Sequence, residues 1–194
     1  PFNLKMIGIG NEQWDEQYFE RYQKFEQALK AKYPAIQLVS GSGPSAQGNR
    51  FDYAWSQLKD SKAAFVDEHY YLPPAWFFAN ARRYDHYDRN RPKVFAGEYA
   101  AHDKEDAQPE SRNTWLSALA EAAFMTGLER NADLVRMCSY APLLAHVEAW
   151  QWRPDLIWFD NLRVMATPNY YVQKLFSTNR GSHVIPITRQ DSVI

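Results

Sequence analysis

The chain has 194 residues and a mass of 22.6 kDa, enough for one sizeable core. Its net charge of −1 and pI near 6.6 exclude a broad electrostatic attraction to nucleic acid or to an anionic membrane, and no apolar run reaches transmembrane length. A single cysteine, Cys138, excludes an internal disulfide and a thiolate metal cluster.

The run Lys5-Met6-Ile7-Gly8-Ile9 is a short apolar strand of the kind buried in parallel sheets, and it leads into Gly10-Asn11-Glu12. Tyr18, Tyr22, Phe25 and Leu29 then recur at steps of four, three and four, which predicts an amphipathic helix stopping before Pro34. Residues 36–39 read as a second strand, closed by Ser40-Gly41-Ser42-Gly43-Pro44. That glycine-rich stretch lacks the Lys-Ser/Thr of a P-loop and the GxGxxG spacing, so it reads as a substrate-side barrel loop. Residues 51–58 support a brief helix, and 63–67 a third strand running into Glu68-His69-Tyr70-Tyr71. Pro73-Pro74 opens a helix expected to continue to Tyr87. Arg82, Arg83, Arg89, Arg91 and Lys93 are interleaved with Asp85 and Asp88, the pattern of a solvated surface.

Residues 93–98 form the fourth expected strand, which ends on Gly97-Glu98-Tyr99. A long helix is predicted over 112–130, with Trp115, Leu116, Leu119 and Ala123 on one face. Residues 134–140 are the fifth strand, in which Cys138 reads as a buried inert thiol. Thr167-Pro168 supplies an N-cap and a first-turn proline for a helix over 169–176. Val184-Ile185-Pro186-Ile187 then reads as a strand that no helix follows. Strands alternating with helices at this spacing imply an α/β fold with a parallel sheet.

Glu12 and Glu98 each stand at the C-terminal tip of a strand, where α/β barrels place their chemistry. Two carboxyls on separate strands are the minimum equipment for cutting a glycosidic bond, one protonated to assist the leaving oxygen and the other ionised to attack the anomeric carbon. Held close together, two carboxylates resist being ionised at once, which divides the two roles. The five histidines (His69, His86, His102, His146, His183) show no HExxH or paired zinc spacing, so neither a metal nor a cofactor is implied. Aromatic residues make up 15% of the chain, an abundance that suits sugar stacking although core packing explains most of it.

Gly10-Asn11-Glu12, Glu68-His69-Tyr70-Tyr71, Gly97-Glu98-Tyr99-Ala100 and Arg153-Pro154-Asp155-Leu156-Ile157-Trp158-Phe159 stand in an order that resembles α-L-arabinofuranosidases of glycoside hydrolase family 51. Tyr140-Ala141-Pro142-Leu143 and Thr167-Pro168-Asn169-Tyr170-Tyr171-Val172-Gln173 fit the same family, and the resemblance runs over nearly the whole chain. It implies the C-terminal portion, strands four to eight, of a TIM (β/α)8 barrel, with residues 1–181 as the partial barrel and 182–194 as the start of a following β-sandwich. It further implies a retaining enzyme that removes terminal arabinofuranose from arabinan or arabinoxylan through a covalent glycosyl-enzyme. Glu12 takes the place of the acid/base and Glu98 that of the nucleophile. Asn11, His69, Tyr71, Trp152 and Asp155 take the places of substrate-binding or site-lining residues, and His102 and Trp14 follow the catalytic strands as candidates for shaping the subsites. The alternatives are another glycosidase of the same clan, an endo-glucanase or β-xylosidase, and an inactive sugar-binding fragment. The expected partners are an arabinose-containing polysaccharide or oligosaccharide, the missing N-terminal half of the barrel, and a second copy in a homo-oligomer, with neither nucleic acid nor membrane. The absence of an initiator Met reads as a cut segment, so localisation stays open, with an extracellular or periplasmic parent favoured if it is secreted.

Overall fold

The computed structural model describes residues 2–102 and 113–185. Strands β1 (Met6–Ile9), β2 (Gln37–Gly41), β3 (Ala63–Leu72), β4 (Lys93–Ala101) and β5 (Val135–Tyr140) form one all-parallel sheet in chain order. The connections carry helices α1 (Asp15–Lys32), α2 (Asn49–Leu58), α3 (Pro74–Ala79) and α4 (Trp115–Arg130). A second, small sheet of β6 (Leu144–His146), β7 (Ile157–Phe159) and β8 (Val164–Ala166) follows, and α5 (Pro168–Thr178) closes the described chain.

Helix starts obey local chemistry. The Thr114 hydroxyl accepts the Ser117 N–H at 3.1 Å to open α4, and Thr167 accepts the Tyr170 N–H at 3.3 Å to open α5, with Pro168 in its first turn. The predicted helix to Tyr87 instead stops at Ala79 and continues as turns. Tertiary contacts explain the stop: Arg83, Tyr84 and Tyr87 turn inward onto Glu68, a fully buried residue of β3. Arg83 therefore departs from the expected solvated surface, pairing with Glu68 at 3.4 Å inside the core. The Glu68 carboxylate also accepts from Trp55 Nε1 at 2.9 Å, from Tyr84 at 3.0 Å and from the Tyr70 hydroxyl, so its buried charge is compensated several times over.

Two helix faces differ from their periodicity. In α1 the buried residues are Tyr18, Phe19 and Tyr22, while Phe25 is exposed. In α4 the face expected to be covered, Trp115, Leu116 and Leu119, is exposed, and the core side is Ala118, Ala120, Glu121, Phe124, Met125 and Leu128. Small residues let α4 sit close to the sheet, and Phe124 fills the gap in an aromatic cluster with Tyr70, Trp76, Phe77, Tyr84 and Tyr99. β1 is half exposed rather than buried, because it is an edge strand. Cys138, on the opposite edge strand, is exposed rather than buried. Val184 and Ile185 are exposed and lie in no strand, and residues 186–187 of that predicted strand fall outside the described residues.

The core lies between the sheet and its helices. Val66 and Tyr70 of β3, and Val94, Ala96, Tyr99 and Ala101 of β4, all belong to it. The step from Ala96 to Tyr99 is odd, which strict alternation forbids. The ladder shows why: Asp67 pairs with Phe95 and His69 with Glu98, so β4 carries one extra residue between them, and the same excess appears against β5. This β-bulge at Gly97 flips the parity of β4 and turns Glu98 away from the helices, onto the face that carries Asp67, His69 and Tyr71. The Ser139 hydroxyl donates to the Gly97 carbonyl that the bulge displaces.

Glu121 ties the layers together, accepting the Ala101 N–H at 2.8 Å beneath α5. Burial pushes its carboxyl up to about 8, against the opposing hydrogen bonds. The folded chain thus keeps a proton that the unfolded chain sheds near pH 4.3. Stability from this group is complete below that value and is lost as pH rises toward 8. In urea titrations of the parent protein between pH 5 and 8, Glu121→Gln is expected to flatten this fall, and an unchanged slope would refute the assignment.

Candidate active site

The C-terminal ends of β1, β3 and β4 converge on one cluster. β1 stops at Ile9, and the chain turns through two left-handed residues, Gly10 at φ 83° and Glu12 at φ 57°. For a glutamate that backbone is strained by roughly 1 kcal/mol or more, and such outliers concentrate at functional sites. Tyr18 of α1 holds the turn in place, its hydroxyl donating to the Ile9 carbonyl at 2.6 Å and accepting the Gly41 N–H at 3.2 Å. Ser42 then locks β2 to β3, its N–H and its hydroxyl each donating to the Asp67 carbonyl at 2.9 Å.

Alternation along β3 sends Glu68 and Tyr70 into the core and leaves Asp67, His69 and Tyr71 on the other face. His69 is buried at the centre. Its Nδ1 lies 2.9 Å from Glu12 Oε1 and 3.6 Å from Glu98 Oε2, and its Nε2 lies 3.3 Å from Asp67 Oδ2. Burial alone would lower the imidazole pKa, but the Asp67 and Glu12 contacts and the Glu98 charge together push it up to about 9. The three carboxyl groups around the ring thus favour its protonated form. The Tyr71 hydroxyl donates to Glu98 Oε2 at 2.7 Å, and burial followed by that carboxylate holds the phenol well above its ordinary range.

One carboxylate oxygen each of Glu12 and Glu98 and one His69 nitrogen lie within 4.8 Å of one another. Both ring nitrogens already face carboxylates, which makes this a proton-handling arrangement. That bound on the oxygen spacing admits the roughly 5 Å between carboxyls that a retaining glycosidase needs. Asn11 is exposed on the Glu12 turn, its backbone N–H donating to the Gln13 side chain. The remaining expected residues stand apart. Trp152 and Asp155 lie between β6 and β7, and among the described residues neither hydrogen-bonds to Glu12, His69, Tyr71 or Glu98. Trp152 is 64% exposed; Asp155 is buried, its N–H donating to Asn113, and burial pushes its carboxyl up to about 6 despite Arg153. The His102 ring faces Tyr71, with ring centroids 6.2 Å apart, and Trp14 lies under the Arg50 guanidinium at 4.7 Å. Asp67 was read from the sequence only as a strand end; its signal was the two-residue step to His69 and Tyr71.

Residues 97–193 match the family described as the α-L-arabinofuranosidase C-terminal domain, half of the chain. The chain belongs to the α-L-arabinofuranosidase family. Residues 1–89 match the α-L-arabinofuranosidase 1 domain. An extracellular exo-α-L-arabinofuranosidase of Streptomyces chartreusis is 49% identical over 96% of this chain, and α-L-arabinofuranosidase 2 of Arabidopsis thaliana is 36% identical over 97%. The chain spans only 22% and 26% of those two relatives. Among solved structures, an arabinose-bound GH51 α-L-arabinofuranosidase superposes with a TM-score of 0.82 at 36% identity, over 96% of this chain and 30% of that one. The Thermotoga maritima α-L-arabinofuranosidase, at 16% identity, shares the fold with a TM-score of 0.70 over 93% of this chain and 41% of that one.

A Cβ added at Gly97 would stand 2.0 Å from Asp67 Oδ1. Gly97→Ala is therefore expected to destabilise the protein by about 1–3 kcal/mol through overpacking. Adding Asp67→Ala should recover most of that loss, so the two changes should couple in a double-mutant cycle read by denaturant midpoints. Simple additivity would show that the close approach does not limit the site.

Proposed function

We propose that this chain is the catalytic C-terminal part of a retaining exo-acting α-L-arabinofuranosidase. In this reading β1 to β5 are strands four to eight of a (β/α)8 barrel, residues 1–181 belong to that barrel, and 182–194 begin a β-sandwich. The observation that carries the reading is the close approach of Glu12, after β1, and Glu98, on β4, across His69 of β3. Glu98, oriented by the Tyr71 hydroxyl, attacks the anomeric carbon, while Glu12 protonates the departing oxygen and then deprotonates the water that hydrolyses the glycosyl-enzyme. Asn11 bonds the sugar hydroxyl next to the anomeric centre, a contact that strengthens as positive charge develops. Trp152 and Asp155 line the pocket when substrate is held. The substrate is arabinan, arabinoxylan or their oligosaccharides, and a secreted parent would act in the extracellular space or the periplasm.

In the parent protein, Glu98→Ala is expected to reduce turnover of every arabinofuranoside below about one-thousandth, with binding retained. Glu12→Ala should damage arabinan hydrolysis at least about tenfold more than that of nitrophenyl arabinofuranoside, whose leaving group needs little protonation. Azide should rescue the second step with retained stereochemistry. Substantial turnover by Glu98→Ala, or equal losses on both substrates for Glu12→Ala, would overturn the two roles.

β1 and β5 are the edges of an open sheet in this chain. Their unpaired backbone groups favour association with the three strands assigned to the rest of the barrel, or self-association into a homo-oligomer. The isolated chain is expected to scatter light as an oligomer and to lack arabinofuranosidase activity, because the sugar is incompletely held. A monomer as active as its parent would refute the half-barrel reading and leave the chain a complete unit.

A further inference from the structure

The polar face of β3 carries a group that the two-carboxylate mechanism does not use. Asp67 Oδ2 stands 3.3 Å from His69 Nε2, on the side of the ring opposite Glu12. Its other oxygen, Oδ1, is buried and has no hydrogen-bond partner among the described residues. It occupies the space that a Cβ on Gly97 would need, 2.0 Å from where that atom would stand. A carboxylate with one polar contact and a glycine reserved for it is held there for that contact. The backbone agrees, since Ser42 binds the Asp67 carbonyl twice and fixes the root of the side chain.

Resting on the assignment of Glu12 as acid/base, we propose that Asp67 is the positioning residue of that acid, acting through His69. It keeps a proton on Nε2 and holds the ring so that Nδ1 faces Glu12. It also keeps a proton on the His69–Glu12 pair at pH values where that pair would otherwise be empty. That shared proton sits on Nδ1 or on the Glu12 carboxyl. It leaves to the departing glycosidic oxygen in the first step and is regained from the attacking water in the second, so the pair ends the cycle as it began. The charged and titratable groups facing the ring are Glu12 from the turn after β1, Asp67 and Tyr71 from β3, and Glu98 from β4, with His102 behind Tyr71. Glu98 lies 3.6 Å from Nδ1, and neither Asp67 substitution alters it. Among the described residues Asp67 is the carboxylate facing Nε2, so its charge can be removed without touching either reacting carboxylate.

The direction follows from Coulomb attraction. Removing a negative charge beside the ring weakens proton binding to the pair, so the alkaline limb of kcat/KM moves to lower pH. The acid limb, set by protonation of the nucleophile, stays in place. Asp67→Asn keeps the volume beside Gly97 and is the primary variant, with Asp67→Ala as its partner. In the parent protein, Asp67→Asn is expected to lower the alkaline limb by about one pH unit. Above neutral pH it should cut kcat on arabinan about tenfold, with a smaller loss on nitrophenyl arabinofuranoside and an unchanged KM. Nitrogen NMR of the His69 ring, assigned with His69→Gln, supplies a readout that needs no activity: the ring's titration should fall by about one unit in Asp67→Asn. An unmoved ring titration in the folded variant would overturn the proposal whatever the enzyme's substrate. A moved titration with an unmoved alkaline limb would also overturn it, whereas loss of the arabinofuranosidase reading alone would appear in Glu98→Ala. A purely structural role for Asp67 would lower activity evenly across pH and substrates.

Discussion

The extra residue in β4 is the constraint on which the site depends. Without it, alternation from Val94 and Ala96 would send Glu98 toward the helices, to be buried as a charge without a partner, and would leave Tyr99 facing the open side. With it, Tyr99 joins the core and Glu98 meets His69 in register. Glycine is required here by the Asp67 carboxylate, which occupies the space of a side chain. One backbone irregularity thus serves packing on one face and the carboxylate pair on the other.

β3 shows the same division more compactly. Its own parity shift, between Ala63 and Phe65, sets up the alternation that follows. Glu68 and Tyr70 then enter a buried web with Trp55, Arg83, Tyr84 and Tyr87, while Asp67, His69 and Tyr71 project from the opposite face. Both sets are titratable and both are largely dry, so the strand between them must be rigid. The Glu68 web provides that rigidity. A buried carboxylate with five donors has one low-energy geometry, and slipping β3 by one residue would place Glu68 among the site groups and His69 in the core. The turns after α3 therefore contribute to the site without touching it.

The order of strands and helices was legible, because five apolar runs separated by amphipathic stretches leave little choice but a parallel sheet. The residues at the strand tips were legible too, as Glu12, His69, Tyr71 and Glu98 stand beside glycine and aromatic neighbours that end apolar runs. Parity was not. Gly97 marks a bulge only once Asp67 is known to press against it, and no pattern within β4 carries that information. The faces of α1 and α4 failed for a related reason: hydrophobicity nominated Phe25, Trp115, Leu116 and Leu119, whereas packing selected Phe19 and the small residues of α4. Strands β6, β7 and β8 have three residues each, too few for any periodicity to register.

The charges in the cluster do not balance. Glu12, Asp67 and Glu98 set three carboxyls around one imidazole, and Arg83, on β3's other face, is committed to Glu68. Folding must therefore gather negative charge that water would keep apart, at a cost recovered in part by the proton on His69 and the Tyr71 hydrogen bond. An excess of negative charge in a fixed arrangement has one natural complement, which is developing positive charge. Under the proposed mechanism that charge appears on the sugar ring as the glycosidic bond stretches, within reach of Glu98 and not before. In that proposal, the same excess that raises the free energy of the empty site is relieved as the oxocarbenium-like state forms, and the groups would lower the barrier by discriminating between ground and transition state. Tyr18, Ser42 and the bulge at Gly97 serve this chemistry by preventing the carboxylates from relaxing apart.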